Sequence, residues 1–213
     1  MVKDVRVVRN QKAGEKVREN LEKRGFAAYY CATAEEALQQ ALALIPEGST
    51  VSWGGCTSAE EIGLLDAVKQ GKYHVLDRDQ ASTPEERVAI MKQALTCDVY
   101  LTGTNAITED GELVNVDGNG NRVAAMIYGP DSVIVIAGMN KLTRTVMDAA
   151  NRARTEAAPV NAQRFEIKTP CKVDGICHDC NSPDCICNQI VRTRRCKPAG
   201  RIKVILVGET LGF

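Results

Sequence analysis

The sequence predicts an α/β protein, a three-layer sandwich in which a mainly parallel sheet is covered by helices on both sides. Segments with the pattern of strands alternate with segments with the pattern of helices along residues 11–156. This chain order is typical of parallel sheets. The run SVIVIA at 132–137 is apolar on both faces, as a central strand between two helical layers should be.

The helices in the first half of the chain are predicted by apolar spacing and capping residues. Val17 and Leu21 lie at helical spacing, and Gly25 can end that helix. Thr33 and Thr83 are suitable N-caps, each followed by a glutamate three residues later. The predicted helices cover 11–24, 34–45, a segment that begins with a capping-box pattern at 58–61, and 84 to about 96.

Short runs of β-branched, aromatic and aliphatic residues between these helices predict strands. These runs cover 26–31, 50–53, 73–76 and 98–102. Asp110-Gly111, between the apolar pieces of 107–116, is a hairpin signal. A short helix at 122–126, a helix at 143–156 and a late strand at 201–207 that returns to the sheet complete the prediction.

Length and charge restrict the class of protein. With 213 residues, the chain fits a single domain over 1–213 with one core. Its 27 basic and 27 acidic residues leave no net charge, so neither nucleic acid nor a membrane is an expected partner. No apolar run has the length of a signal peptide or a membrane span. We therefore expect a cytoplasmic protein whose cysteines are reduced.

Six of the nine cysteines fall in residues 158–200, a segment with little periodicity that precedes the last strand. Their spacing, Cys-x5-Cys-x2-Cys-x4-Cys-x-Cys-x8-Cys, is suited to thiolate ligation of an iron–sulfur cluster or of zinc. Free thiols and an adventitious set of disulfides are the alternatives. We expect an iron–sulfur cluster, with zinc as the second choice, because the two spacings among the first three cysteines resemble those of plant-type ferredoxins. The expected cluster is of the 4Fe-4S type. The predicted ligands are Cys171, Cys177, Cys180 and Cys187.

Cys185 is the substitute ligand, and we expect His178 to lie outside the ligand set. The scattered Cys31, Cys56 and Cys97 fit small buried thiols. An alternative for Cys56 is a nucleophile whose pKa is lowered at a helix N-terminus.

Two glycine-rich and asparagine-rich loops follow predicted strands and are suited to binding a small anionic metabolite. Lys141, after the strand at 132–137, is a further cationic candidate, and Arg122 is predicted to pair bidentately with an anion. These glycines and asparagines can also serve only as turn residues. The predicted ligand-binding residues are Gly54, Gly55, Thr57, Ser58, Gly103, Thr104, Asn105, Asp117, Gly118, Asn119, Asn121, Arg122 and Lys141.

Three carboxylates are candidates for a catalytic acid or base, namely Glu109, Asp110 and Glu61. Carboxylates in such positions also cap helices or solvate turns. The sequence leaves both roles open.

Several runs together resemble the LUD-domain family, the lactate utilisation proteins. They are TVSWGGCTSAEEIGLLDAV, TGTNAITEDGELVNVDGNGNRVAAMIYGP, VIVIAGMNKLT, TPC, CHDC, CICN and GRIKVILVGETLGF. The resemblance covers nearly the whole chain, and NVDGNGNR is its most specific part. It implies a fold like that of ribose-5-phosphate isomerase, glucosamine-phosphate deaminase and the CoA transferases, with ligands bound above the strand C-termini.

The resemblance also implies a role in oxidation of lactate to pyruvate beside iron–sulfur partner proteins. The chain lacks the long ferredoxin-like cysteine repeats of the larger cluster-bearing partner. Cys185 stands where similar sequences have another residue, which favours Cys187 as the fourth ligand. A redox component acting on lactate or another 2-hydroxy acid is thus expected. The alternatives are a non-redox phosphosugar or CoA-type enzyme and a ligand-binding module with structural zinc, and a homo-oligomer stays open.

Overall fold

The computed structural model describes residues 4–213, and the α/β architecture predicted from the sequence is confirmed. These residues form ten strands in two sheets. The strands are β1 (Ala27–Cys31), β2 (Thr50–Trp53), β3 (His74–Leu76), β4 (Val99–Gly103), β5 (Ala106–Thr108), β6 (Leu113–Asp117), β7 (Ser132–Gly138), β8 (Leu142–Thr143), β9 (Gln189–Thr193) and β10 (Ile202–Val207).

The larger sheet has six strands in the order β1-β10-β7-β4-β2-β3, and every neighbouring pair is parallel. β7 lies inside the sheet, and its residues 133–138 are all buried. The late strand β10 is inserted between β1 and β7, as the sequence predicts for a strand that returns to the sheet. The carboxyl ends of all six strands therefore meet at one edge of the sheet.

Helices cover both faces of this sheet. They are α1 (Val5–Lys23), α2 (Ala34–Ala43), α3 (Thr57–Glu61), α4 (Leu64–Gln70), α5 (Pro84–Gln93), α6 (Asn121–Ile127), α7 (Val146–Arg152), α8 (Ala158–Ala162) and α9 (Pro170–Asp174). One buried cluster contains residues of α1 and α6, and a second contains residues of α2, α3 and α4. The sheet with these two helical layers makes the three-layer sandwich. None of the helices in residues 4–213 combines the length and the apolar character of a membrane span.

Local interactions explain where several elements begin and end. The side chains of Thr33 and Thr83 accept hydrogen bonds from the backbone N–H three residues later, which confirms both predicted N-caps. Gly25 follows α1 with φ +82°, a conformation that glycine adopts at little cost. The capping box predicted at 58–61 is wrong, because the N-cap of α3 is Cys56 and its side chain caps no backbone group.

The smaller sheet has the strand order β8-β5-β6-β9. Its β5-β6 hairpin is the one predicted at Asp110-Gly111. The sequence did not predict β9, which lies within the cysteine segment and pairs antiparallel with β6. Its burial pattern alternates only between half-buried and exposed, so its sequence lacks a buried apolar face. The helix predicted to end at 156 instead continues through a π-helical stretch, Ala153–Ala157, into α8.

Candidate functional site

Loops at the carboxyl edge of the larger sheet enclose a cavity of about 780 Å³. The loops that follow β2, β3, β4, β7 and β10 all contribute to its lining. This location is where open parallel sheets bind ligands, because the strand ends leave backbone and side-chain groups unpaired there. The volume lies within the range of ordinary small-molecule sites.

All thirteen predicted ligand-binding residues line this one cavity. The prediction that the loop after β2 and the loops on either side of the β5-β6 hairpin share a cavity is thereby confirmed. Gly54 illustrates how tightly the loops pack, because a Cβ built there would lie 2.9 Å from the side chain of Arg122. The role of these residues in binding a ligand stays a prediction.

Lys141 is the most deeply buried cation in the cavity wall, with 3% of its surface exposed. Its Nζ donates a hydrogen bond of 2.9 Å to Oγ of Ser58, which in turn donates to the carbonyl of Leu211 at 3.3 Å. No ion pair among residues 4–213 includes Lys141. Burial lowers the pKa of Lys141 to about 8. A buried ammonium without a counter-ion is a natural contact for an anionic ligand.

The guanidinium of Arg122 is committed to the protein itself. Its Nη1 donates to the carbonyl of Gly103 and to Oδ1 of Asn115, and its Nη2 donates to Oδ1 of Asn105 and to the carbonyl of Val116. These four bonds leave no free pair of donors for a bidentate contact. The predicted bidentate anion contact of Arg122 is therefore wrong, and Arg122 instead positions the loops.

Cys56 faces the same region, since a Cβ built on Gly103 would lie 3.4 Å from its Sγ. Burial raises the pKa of this thiol to about 11, although the nearby charge of Lys141 acts in the opposite direction. The alternative of an activated nucleophile is therefore wrong, because the thiol is protonated near neutral pH. Cys31 and Cys97 are buried, as the sequence predicts.

The three candidate catalytic carboxylates do not line the cavity. Glu109 and Asp110 form the exposed hairpin turn, where Asn20 of α1 donates to the carbonyl of Glu109 at 2.9 Å. Glu61 accepts a hydrogen bond of 2.6 Å from the backbone N–H of Gly212. The hairpin pair is thus placed against α1, and Glu61 holds the segment that follows β10.

Sequence reasoning missed several cavity residues, among them Arg78, Arg87 and Arg164. Arg78 follows β3 directly, so the rule that identified the other loops applied to it as well. Arg164 comes from the chain beyond α8, far from any sheet strand in sequence, and nothing in its neighbourhood marks it. It donates to Oγ1 of Thr57 at 3.1 Å.

The five cationic side chains in the lining are matched by five acidic ones, but the two sets differ in depth. Lys141 and Arg122 are buried, whereas four of the acidic residues are exposed. Asp117 is the acidic residue at depth, and it accepts a hydrogen bond from the backbone of Val123. The base of the cavity is therefore cationic and its rim is mixed.

A second cavity, of about 180 Å³, lies within the cysteine segment. Five cysteines line it, namely Cys171, Cys177, Cys180, Cys185 and Cys187. The sixth, Cys196, is buried elsewhere in the core, where its Sγ accepts from the backbone N–H of Ile202 at 3.2 Å. The structure thus gathers the four predicted ligands and the substitute, and separates the remaining thiol from them.

The thiols in this smaller cavity affect one another electrostatically. The pKa of Cys187 is raised to about 12 by burial and by the charges of Cys185, Cys177 and Cys171. His178 lines the cavity and pairs through Nε2 with Asp174 at 2.6 Å. Among residues 4–213, no three His, Cys, Asp or Glu side chains stand in an arrangement that could hold one metal ion. The cysteines line one cavity, and their role as ligands stays a prediction.

The two cavities are adjacent. Cys185 and Ile186 line both of them. Asn188 further fixes this stretch, because its Nδ2 donates to the carbonyl of Gly118 at 3.1 Å. The cysteine segment therefore forms part of the wall of the larger cavity.

Comparison with known proteins gives matches over almost the whole chain, to a family model and to a solved structure. The family model of the LUD domain matches residues 14–207. The structure of a DUF162 family protein from Deinococcus radiodurans is similar at a TM-score of 0.53 and 16% identity, over 93% of this chain and 98% of that chain. At this identity the likeness shows the fold alone. Curated protein sequences contain no significant match.

Two partial likenesses were also found. Ribose 5-phosphate isomerase A from Methanocaldococcus jannaschii is 16% identical over 53% of this chain and 55% of that chain, with a TM-score of 0.34. The delta subunit of eIF2B from Chaetomium thermophilum is 22% identical over 55% of this chain and 52% of that chain, with a TM-score of 0.33. Likenesses of this extent support no conclusion about ligand or activity.

Proposed function

The chain belongs to the LUD-domain family, and from this premise we propose that it is a redox component for oxidation of lactate or another small 2-hydroxy acid. The acid anion binds in the larger cavity. The cysteine segment would hold an iron–sulfur centre, which would supply one-electron transfer to iron–sulfur partner proteins.

The observation that carries this proposal is the wall shared by the two cavities. Cys185 and Ile186 line both, so the two cavities share a stretch of wall. A ligand in the larger cavity and the thiols of the cysteine segment would thus have a common boundary.

The donor set is chemically suited to an iron–sulfur cluster, because thiolates are the usual protein ligands of such a cluster. Five cysteines line one cavity of about 180 Å³, one more than a cluster with four thiolate ligands needs. Cys171, Cys177, Cys180 and Cys187 would hold it, and such a cluster would supply one-electron transfer.

Lys141 is the residue that we assign to the acid. Its ammonium would pair with the carboxylate, and Ser58, whose hydroxyl accepts from Lys141 and donates to the carbonyl of Leu211, holds the ammonium in place. Oxidation of the alcohol to a ketone releases two electrons and two protons. Two one-electron transfers to partner proteins would therefore be needed for each acid consumed.

The proposal is tested by anaerobic purification followed by iron and acid-labile sulfide analysis and electron paramagnetic resonance after reduction with dithionite. We expect about four irons and four sulfides per chain, and loss of the signal in Cys177→Ser. Cys196→Ser is the matched control and should keep the cluster, because Cys196 lies in the core away from the cavity. A protein that holds zinc and no sulfide would refute the redox role.

A second candidate is a non-redox phosphosugar or CoA-type enzyme with structural zinc. Lys141 favours it, because an amine with a pKa of about 8 can accept a proton from a substrate near neutral pH. The same metal analysis separates the two, since this candidate requires zinc or no metal.

A further inference from the structure

Arg78 lies in the larger cavity at a distance from Lys141, and the mechanism above does not use it. It begins the 3-10 turn that follows β3, and its side chain is 16% exposed. Lys141 follows β7, and the strand order places three inter-strand spacings between β7 and β3. At about 4.8 Å per spacing, the two strand ends are roughly 14 Å apart. The two cations therefore enter the cavity from different strand ends, so a ligand long enough to reach from one to the other would contact both.

Most N–H donors of the Arg78 guanidinium have no good acceptor among the described residues. Its Nε is buried without a hydrogen-bond partner in residues 4–213. Its Nη1 contacts Sδ of Met91 at 3.7 Å, and a thioether is a weak acceptor. Asp79 is 3.9 Å from Nε and already accepts from Arg87 at 2.8 Å. Arg78 thus differs from Arg122, whose guanidinium donates four hydrogen bonds to the protein.

The side of the Arg78 guanidinium formed by Nε and Nη2 is suited to binding an oxyanion. Nε and Nη2 form the side of a guanidinium that pairs with two oxygens of a phosphate or carboxylate. A Cβ built on Gly55 would lie 3.7 Å from Nη2, so this edge is next to the glycine loop that lines the cavity. A desolvated Nε–H without a partner is costly, and an oxyanion there would satisfy it.

The size of the cavity agrees with a longer ligand. About 780 Å³ is enough for a molecule many times larger than lactate. Lys141 enters the cavity after β7 and Arg78 enters it after β3, whereas Arg122, at the base, has its donors committed to the protein.

We propose that Arg78 is a second anion-binding residue, and that the ligand is a 2-hydroxy acid whose far end carries a second oxyanion such as a phosphate. The carboxylate end binds at Lys141, and the phosphate end binds the Nε/Nη2 edge of Arg78. The assignment of the carboxylate end depends on the proposed function; the assignment of Arg78 depends only on its own surroundings.

The test is isothermal titration calorimetry of the anaerobically purified protein with three probes: lactate, gluconate and 6-phosphogluconate. The last two differ only in the terminal phosphate. We expect the wild-type protein to bind 6-phosphogluconate at least tenfold more tightly than gluconate. In Arg78→Gln this advantage should fall to within twofold, while gluconate affinity is unchanged. Lys72→Gln, which removes an exposed cation outside the cavity, is the matched control and should keep the advantage.

Equal affinity of the wild-type protein for gluconate and 6-phosphogluconate would overturn the inference without any variant. It would also be overturned if Arg78→Gln weakened both probes by the same factor, because Arg78 would then only shape the cavity. If circular dichroism shows that Arg78→Gln is misfolded, Arg78→Lys replaces it. The lysine keeps the positive charge but lacks the two parallel N–H donors of the guanidinium. The logarithm of the affinity ratio between 6-phosphogluconate and gluconate should therefore fall by at least half.

Failure of the redox proposal has a different signature. It would appear as absence of iron and sulfide in the purified protein, whatever the calorimetry shows. A phosphate advantage that depends on Arg78 in a cluster-free protein would keep the present inference and reject the redox role.

Discussion

Replacement of Arg122 by alanine should destabilise the protein more than it weakens any ligand contact. The side chain is 11% exposed and joins the loop after β4 to the end of β6 and to the start of α6. Two of its four acceptors are the side-chain oxygens of Asn105 and Asn115. Asn115 is fully buried, and its Nδ2 has no partner in residues 4–213. Without the guanidinium, Oδ1 of Asn115 loses the stronger of its contacts.

The magnitude follows from the number of groups left unpaired. Each buried acceptor that loses its donor costs about 1–3 kcal/mol, and relaxation and water entry reduce the sum. Loss of one member of a buried charged network typically costs about 3–5 kcal/mol, and this is the decrease that we expect in the free energy of unfolding.

Urea unfolding followed by circular dichroism measures this decrease. Arg18→Ala is the matched control, because Arg18 lies on the surface of α1, where it pairs with Glu15 and Glu22, and its loss should leave the urea midpoint unchanged. A loss below about 1 kcal/mol for Arg122→Ala, together with a large loss of anion affinity, would refute the positioning role and return Arg122 to the ligand contacts.

Three further predictions concern stability. The pKa of Lys141 is about 8 in the folded protein and 10.5 in the unfolded chain, so the unfolded chain holds the proton more tightly. The free energy of unfolding of the wild-type protein should therefore rise, relative to that of Lys141→Met, by up to about 3 kcal/mol between about pH 8 and 10.5. Urea titrations across this pH range measure the difference. A flat difference would contradict the burial of a neutral amine. Gly129→Ala should cost at least about 2 kcal/mol, because φ is +128° and a Cβ would lie 2.4 Å from the carbonyl oxygen of Leu95. Gly48 has φ +79° but no atom within 4 Å of a built Cβ, so Gly48→Ala should lower the free energy of unfolding by only about 1 kcal/mol in the same urea titrations. Removal of the proposed cluster should cause fast hydrogen exchange in 170–188 but not in β9, which pairs with β6. Uniform protection of 170–188 would show that something other than the metal orders this stretch.

The sequence by itself determined the layered architecture and most of its elements. Strand and helix patterns are local, since they depend on which face of each element is apolar and on caps such as Thr33 and Thr83. The cavity lining was also predictable, because loops that follow parallel strands must emerge at the same edge of the sheet. The same rule, applied to the strand at 73–76, would have included Arg78.

Only the tertiary structure decided which charged groups are available to a ligand. Arg122 and Lys141 look equivalent in sequence, yet the asparagines and carbonyls around Arg122 occupy its donors, whereas Lys141 keeps one hydrogen bond and no counter-ion among residues 4–213. The position of the cysteine segment was likewise beyond the sequence. β9 has no buried apolar face, and its pairing with β6 depends on backbone hydrogen bonds between residues about 75 positions apart. That pairing brings Cys185 and Ile186 to the wall of the larger cavity. Non-local contacts of this kind form only in the folded chain, so they leave no local pattern in the sequence.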